Sequence, residues 1–494
     1  MQRLNYHVLS QTHPNDFVLK KAPVRVLQFG EGNFLRGFVD YFIDMLNEKA
    51  GFNGKVAVVQ PIANGLSNLI NEQEGLYTLY LRGIENGEKI NARRVISCID
   101  HCLNPYSDFD AFLKEAHNPD LRFIVSNTTE AGIVYSDDDQ FDDVPPNTFP
   151  AKLTRLLFER FTAFEGRSDK GVIVLSCELI DNNGAQLKQC VMRYAERWQL
   201  GDAFMQWLND ANIFCSTLVD RIVTGYPRDE VQSLWEENGY EDQLINTAEV
   251  FGFWVIEGPD SIGEELAFAK AGLPVIITND HTPYKKRKVR ILNGAHTSMV
   301  PAAFLAGQDI VRDCMHDDVI GAFLHRAMFD EIIPTLTLPK DELEGFANSV
   351  IERFKNPYID HRLLSITLNS FSKWRARVMP SVKEYAERFG KLPRLLTFSF
   401  AALMQFYTGA FDAQGKYIGK RGEETYEILD DKQALEFCAA HCADTDRYVE
   451  SLCEATEFWG EDLSLIPGFA QQVKEDLALI RSKGMKAALQ AVVG

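Results

Sequence analysis

The chain has 494 residues, too many for one ordinary core, so two or more domains are expected. A hydrophobic content of 46% with 11% aromatic residues is globular and sufficient for large cores. With 51 basic against 70 acidic residues the net charge is −19, which argues against a nucleic-acid or anionic-membrane partner and leaves anion binding to a local cationic site.

No run reaches 18 uninterrupted apolar residues, so no membrane span is expected. The start, MQRLNYHVLSQTHPNDF, lacks the apolar core of a signal peptide. Nine cysteines without a regular framework suit a reducing compartment. A cytoplasmic protein is the expectation.

In chain order, the first half alternates short β-branched runs with helical stretches: VRVLQF (24–29), KVAVVQ (55–60), LRFIVS (121–126), GVIVLSC (171–177), FGFWVI (251–256) and LPVIIT (273–278). That alternation predicts an α/β domain with a mostly parallel sheet. GLYTLYLRGI (75–84) and RRVISC (93–98) read as an antiparallel excursion from it. After about His281 the strand signals stop, and apolar residues recur at spacings of three and four, as in GAFLHRAMFDEII (321–333) and LLTFSFAALMQFY (395–407). The second half therefore reads as mainly α-helical. Only FDAQGKYIGKRGEE (411–424) looks like a loose surface excursion. We expect a dinucleotide-binding domain over 1–280 and a helical substrate domain over 281–494, with a site where domains meet.

The first strand ends in QFGEGNFLRGF (28–38), with Gly30 and Gly32 where a strand turns into a helix. Such a turn lets backbone N–H groups meet a pyrophosphate. A full dinucleotide fingerprint has a third glycine where this chain has Leu35, and Gly37 falls two residues late; a plain strand-to-helix turn fits as well. After the next strand, Gln60 stands where an acid commonly meets the ribose hydroxyls, a neutral residue leaning toward NAD over NADP. The third strand ends in SNTTEAGI, placing Asn127, Thr128 and Glu130 on the ligand side of a parallel sheet, or in a simple polar loop.

The stretch YKKRKVRILNGAHT (284–297) sets five cations in six positions, Lys285 to Arg290. Lys288, Asn293 and His296 follow at spacings of five and three. On an α-helix they would share an arc of roughly 140°. A lysine can give a proton to a ketone oxygen, an asparagine can stabilise the growing alkoxide, and a histidine can orient the substrate. In the reverse direction the lysine must be neutral, a state that like charges on Lys285, Lys286, Arg287 and Arg290 would favour. The bland alternative is a solvated basic helix face with a core histidine. Cys438, His441 and Cys442, like Cys98, His101 and Cys102, lack a spaced fourth ligand and read better as small buried residues than as a metal site.

Taken together, VLQFGEGNFLRGF, SNTTEAGI, STLVDRIVTGYPRDE and PYKKRKVRILNGAH resemble the mannitol dehydrogenase family of polyol-specific long-chain dehydrogenases, from about Val24 to beyond Arg377. PAKLTRLLFERF and SCELIDNNG draw the likeness toward members acting on uronates. The resemblance implies a Rossmann-type domain followed by a mainly helical one, NAD as hydride carrier and no catalytic zinc. It implies Lys288 as acid/base, Asn293 as oxyanion donor and His296 as substrate-positioning group. The nucleotide segment would be Leu27, Gln28, Phe29, Gly30, Glu31, Gly32, Asn33, Phe34, Leu35, Arg36, Gly37 and Phe38, with Asn127 and Glu130 nearby. Asp220 would lie near the substrate or the lysine. Where members carry a second oxyanion asparagine this chain has Leu179, with Asn182 or Asn183 as possible substitutes. Thr224 replaces a usual proline, and Ser365 an arginine eight residues before Lys373. These departures imply a different ligand. A small-molecule uronate or aldonate needs a cation for its carboxylate, offered here by Arg362, Lys373, Arg375 and Arg377; Lys373 and Arg377 are i,i+4 and share a face. Oligomeric state is not encoded in any of these motifs.

Overall fold

The computed structural model describes residues 1–129 and 131–494. The chain forms two compact units, Met1–Arg82 with Lys89–His281, and Gly83–Glu88 with Thr282–Gly494.

The first unit is built from β1 (Val24–Phe29), β2 (Lys55–Val59), β3 (Tyr77–Glu85), β4 (Glu88–Ile96), β5 (Ile99–Leu103), β6 (Phe123–Ser126), β7 (Ile173–Ser176), β8 (Ile213–Asp220), β9 (Val223–Gly225), β10 (Asn246–Glu249), β11 (Phe253–Glu257) and β12 (Val275–Thr278). Eight of these form one sheet in the order β12-β11-β8-β7-β6-β1-β2-β5. The pairs are parallel except β8 with β11, so β11 and β12 run against the rest. The mostly parallel sheet foreseen from the β-branched runs is present, with β5 and β8 as members that the hydrophobic pattern alone did not single out.

Period-two alternation splits β1 between two cores. Leu27 and Phe29 face Phe149, Leu153 and Leu157 of the helix Phe149–Ala163. Val26 faces the other way, toward Phe38, Phe42 and Leu46. Each side chain of this size contributes about 1.5–3 kcal/mol by leaving water. The helix Val39–Ala50 stops at Gly51, whose φ of 73° is the left-handed cap that glycine adopts without strain. The other helix starts at Thr148, whose side chain accepts from the Ala151 N–H, with Pro150 in the first turn. A second sheet, β4-β3-β10-β9, includes the excursion; β3 and β4 are joined through Asn86 and Gly87, both at positive φ as a two-residue hairpin requires.

The second unit is mainly helical. Arg394–Phe406 is buried along its length, from Leu395 and Leu396 to Met404 and Phe406, with Thr397 and Ser399 buried among them. Its start is capped by the buried Glu331 carboxylate, which accepts from the Leu395 and Leu396 N–H groups at 2.8 Å each. The stretch 411–424, expected to be loose, is instead part of a three-stranded antiparallel sheet: β13 (Gly409–Phe411), β14 (Tyr417–Arg421) and β15 (Glu424–Glu427). Two buried tyrosines anchor it, Tyr417 donating to the Tyr407 carbonyl and Tyr426 to that of Phe406. A Cβ on Gly419 would lie 2.5 Å from the Tyr426 ring, so glycine lets the strand lie flat on it. Among the described residues no helix is long and apolar enough to cross a membrane.

Candidate active site

In the first unit the chain leaves β1 through Gly30, at φ 123°, with its N–H donating to the Val59 carbonyl at 3.0 Å. A Cβ there would come within 3.1 Å of both the Asn127 carbonyl oxygen and Leu35 Cδ1. Gly32 is the opposite case: a Cβ there would meet nothing within 4 Å. The turn therefore keeps bare backbone facing open space, which fits the close approach of a dinucleotide pyrophosphate.

Side chains of the turn look inward. The Arg36 guanidinium is buried and donates to the Glu31 carbonyl at 3.1 Å, the Leu244 carbonyl at 2.7 Å and Asn33 Oδ1 at 2.8 Å. Gln28 Nε2 donates to the Gly30 carbonyl at 3.1 Å and Tyr77 Oη to the Arg36 carbonyl at 2.7 Å. Both also reach Asp40 Oδ2 at 3.4 Å. Burial raises the Asp40 carboxyl to about 7. Leu27, Phe29, Leu35 and Phe38 are core residues, Phe34 stacks on Phe38, and Gly37 packs against Val223. Burial likewise raises the Glu31 carboxyl. Of the twelve residues expected at the cofactor, Gly32 and Asn33 are exposed. Arg221, which the sequence reading did not single out, clamps the end of the turn by donating to the Gly37 carbonyl at 2.9 Å.

Several expectations change here. Gln60 cannot report on the ribose: its Nε2 donates to the Ile62 and Ala63 carbonyls and its Oε1 accepts from the Ser67 N–H, so the side chain knits its own loop. Asn127 ties β6 to β7 through the Cys177 carbonyl at 2.8 Å. Glu130 lies outside the described residues. Asn183 is not a spare oxyanion donor, because it bonds the Glu178 and Thr217 carbonyls and the Thr217 and Gly184 N–H groups. Asn182 is exposed in the left-handed region, and Leu179 is also exposed. Asp220 is buried at the end of β8, opposite Phe253.

In the second unit Lys288 opens a π-helical turn, Lys288–Gly294, that continues into the helix Ala295–Leu305. This corrects the α-helical geometry expected. Bonding from i to i+5 widens the turn and carries Asn293 round toward the side of Lys288. Both side chains are part-exposed. The cation tract is not a uniform basic face either. Arg287 pairs with Glu342 at 2.5 Å, and Arg290 with Glu384 at 2.9 Å and Ser381 at 2.8 Å. Those two arginines are buried, and each is paired with a glutamate.

His296 stacks on Phe354 at 4.0 Å between centroids and meets His361 edge-on at 5.5 Å. Burial, helped by the proximity of His361, Arg353 and Arg377, pushes its pKa well below the usual imidazole range. It is therefore neutral, and its Nε2 has no hydrogen-bond partner among the described residues. Arg377 reaches Thr297 Oγ1 at 3.5 Å, and its carbonyl oxygen lies 2.9 Å from a Cβ placed on Gly294, so glycine admits the helix Ser370–Arg377 against the π-turn. Lys373 donates to the Ile366 carbonyl at 2.9 Å. Arg362 is exposed, and its backbone forms an isolated bridge to Ile310. Arg375 points to the Phe458 carbonyl. His361 was missed because a lone histidine beside the candidate Arg362 carries no spacing signal of its own.

The same geometry is met from another direction. The mannitol dehydrogenase Rossmann-domain profile matches residues 24–270, and the mannitol dehydrogenase C-terminal-domain profile matches residues 280–481. The chain belongs to the mannitol dehydrogenase family. Within that family it is 50% identical to an altronate oxidoreductase of Klebsiella pneumoniae (strain 342) over 483 residues, covering 96% of this chain and 98% of the relative. It is as similar, with the same coverage, to that of Escherichia coli O17:K52:H18. Two solved structures share the fold at 22% identity. Substrate-free D-sorbitol dehydrogenase has a TM-score of 0.81 over 99% of this chain and 100% of its own. Pseudomonas fluorescens mannitol 2-dehydrogenase, in a ternary complex with NAD and D-mannitol, has a TM-score of 0.67 over 100% and 99%.

Proposed function

We infer that the chain interconverts D-tagaturonate and D-altronate with NAD(H), the reducing direction serving hexuronate (galacturonate) breakdown in the cytoplasm. The observation that carries this reading is end-to-end identity of about one residue in two with altronate oxidoreductases, with almost no part of either chain left over.

The turn Leu27–Phe38, with its open backbone at Gly32, holds the dinucleotide, and Asn127 borders it. Bound nicotinamide supplies the hydride. Lys288 protonates the ketone oxygen as carbon is reduced, and takes the proton back in the oxidising direction. Asn293, carried round by the π-turn, donates its amide N–H to the same oxygen while charge accumulates there. Neutral His296 donates or accepts without adding charge and so orients the substrate without drawing the proton from Lys288. Asp220 orients the substrate or the lysine. The cations Arg362, Lys373 and Arg377 supply the positive charge for the carboxylate.

The test is NADH and NADPH oxidation with D-tagaturonate, D-fructuronate and D-fructose. Tagaturonate with NADH should give the highest kcat/KM by at least about tenfold. A preference for fructose would overturn the uronate assignment, and a preference for fructuronate would move it to the sister reaction.

A further inference from the structure

Resting on that reading, we propose that Arg377 and His361 form the seat for the substrate carboxylate and set the preference for a uronate over a neutral ketose. Arg377 is a part-buried guanidinium whose hydrogen bond among the described residues is a long one, 3.5 Å to the neutral Thr297 hydroxyl. Burial lowers its pKa, and among the described residues no carboxylate pairs with it. The buried arginines of the same unit, Arg287 and Arg290, each have a glutamate. A half-desolvated guanidinium without an acid is costly in the free protein, and an incoming carboxylate removes that cost with two parallel charge-assisted bonds.

The second wall is imidazole. His361 meets His296 edge-on at 5.5 Å; it is exposed on one side, and partial desolvation keeps its pKa below the usual value. A neutral imidazole donates one N–H to a carboxylate oxygen and adds no second cation to repel Arg377. Lys373 is the weaker candidate, since its ammonium already donates to the Ile366 carbonyl. It forms a positive flank four residues from Arg377; burial and then the Arg377 charge lower the Lys373 pKa, and an incoming carboxylate relieves that repulsion.

The readout is the selectivity ratio, kcat/KM for D-tagaturonate divided by kcat/KM for the ketohexose carrying a hydroxymethyl group in place of the carboxylate. Arg377→Met should lower it by at least about 30-fold, mostly through KM for the uronate, with Arg377→Lys recovering part of the loss. His361→Phe, which keeps the ring stacking but removes the N–H, should lower it by roughly 3- to 10-fold. Lys373→Met should lower it less than Arg377→Met. A ratio unchanged within about twofold in both Arg377→Met and His361→Phe overturns the seat while leaving the uronate reaction standing. A wild-type enzyme that prefers the neutral ketose removes the function and the seat together. Melting curves of each variant separate unfolding from a loss of selectivity.

Discussion

Arg36 and Arg377 are both guanidiniums drawn out of bulk water, and they end in opposite situations. Arg36 has three acceptors, all from its own unit, within 3.1 Å. Arg377 has one neutral hydroxyl at 3.5 Å. The contrast extends to their surroundings. Around the glycine turn, Gln28, Gln60, Tyr77, Asn127 and Asn183 are all bonded to nearby backbone. Around Arg377, the His296 Nε2 is without a partner among the described residues. Near the turn Gln28 Oε1 and Asp40 Oδ1 are also short of a partner, so the contrast rests on the two guanidiniums. The turn offers a ligand shaped backbone, and the second unit offers an under-coordinated guanidinium. A charged donor saturated by the fold reports on architecture, and one left short reports on what binds.

The largest effect separating the two regions should come from Lys288. Lys288→Ala is expected to cut kcat by about 10²- to 10⁴-fold, the usual worth of a general acid. NADH affinity, followed by fluorescence titration, should shift by less than about threefold, because the dinucleotide is assigned to the other unit. Loss of NADH binding in step with kcat would show that this lysine serves the cofactor.

Next comes the exchange of one arginine for the other role. Arg36→Met leaves the Glu31 and Leu244 carbonyls without their donor. It should destabilise by about 2–5 kcal/mol and lower Tm by roughly 5–15 °C. Arg377→Met removes no comparable network and should move Tm by under about 4 °C. Equal melting shifts would erase the distinction between scaffold and binding arginine.

How far the sequence could reveal these regions follows the same line. The glycine turn was legible because φ 123° at Gly30 restricts that position to glycine, and a second glycine, Gly32, follows two residues on. The parallel sheet was legible through its apolar runs. The π-turn was not, since counting at 100° per residue assumes the regular helix that Lys288–Gly294 departs from. Nor were the partners of Arg287 and Arg290, which lie 55 and 94 positions away. The tyrosine-anchored β-sheet at 409–427 hid behind charged and glycine residues, because the period-two signal of so short a sheet rests on Tyr417 and Tyr426. Arg221 reaches across 184 positions to the Gly37 carbonyl, a separation that local pattern cannot express.

Stability against pH gives a smaller contrast between the units. Burial raises Asp40 in the first unit and Glu331 in the second to about 7. Hydrogen bonds donated to Asp100 and then Glu115 raise His101, in the first unit, to about 9. All three folded-state values lie above the unfolded ones, so each contribution is complete below the unfolded pKa and is lost as pH rises through the folded one. The carboxyl contributions fade from about pH 4 to 7, and that of His101 from about 6.5 to 9. Between pH 6 and 9, Tm should fall by roughly 5–10 °C, with the first unit more sensitive because His101 titrates there. Glu331→Gln should flatten the second unit's dependence between pH 5 and 7 and leave that of His101 in place. A Tm that rises from pH 6 to 9 would contradict the sign for all three groups.

The finest comparison lies within the turn itself. Gly30→Ala forces a side chain into a positive-φ position and against the Asn127 carbonyl, at a cost of about 1–3 kcal/mol in stability. Gly32→Ala meets no protein atom within 4 Å and its backbone is not in the left-handed region, so Tm should move by less than about 2 °C. Its methyl group nevertheless projects into the space assigned to the pyrophosphate, so the NADH dissociation constant should rise by roughly 3- to 10-fold. One glycine is required by the fold and the other by the ligand, and these two substitutions tell them apart. If Gly32→Ala binds NADH as tightly as the parent, the bare backbone there serves only the turn, and the dinucleotide must lie along a different part of the strand edge.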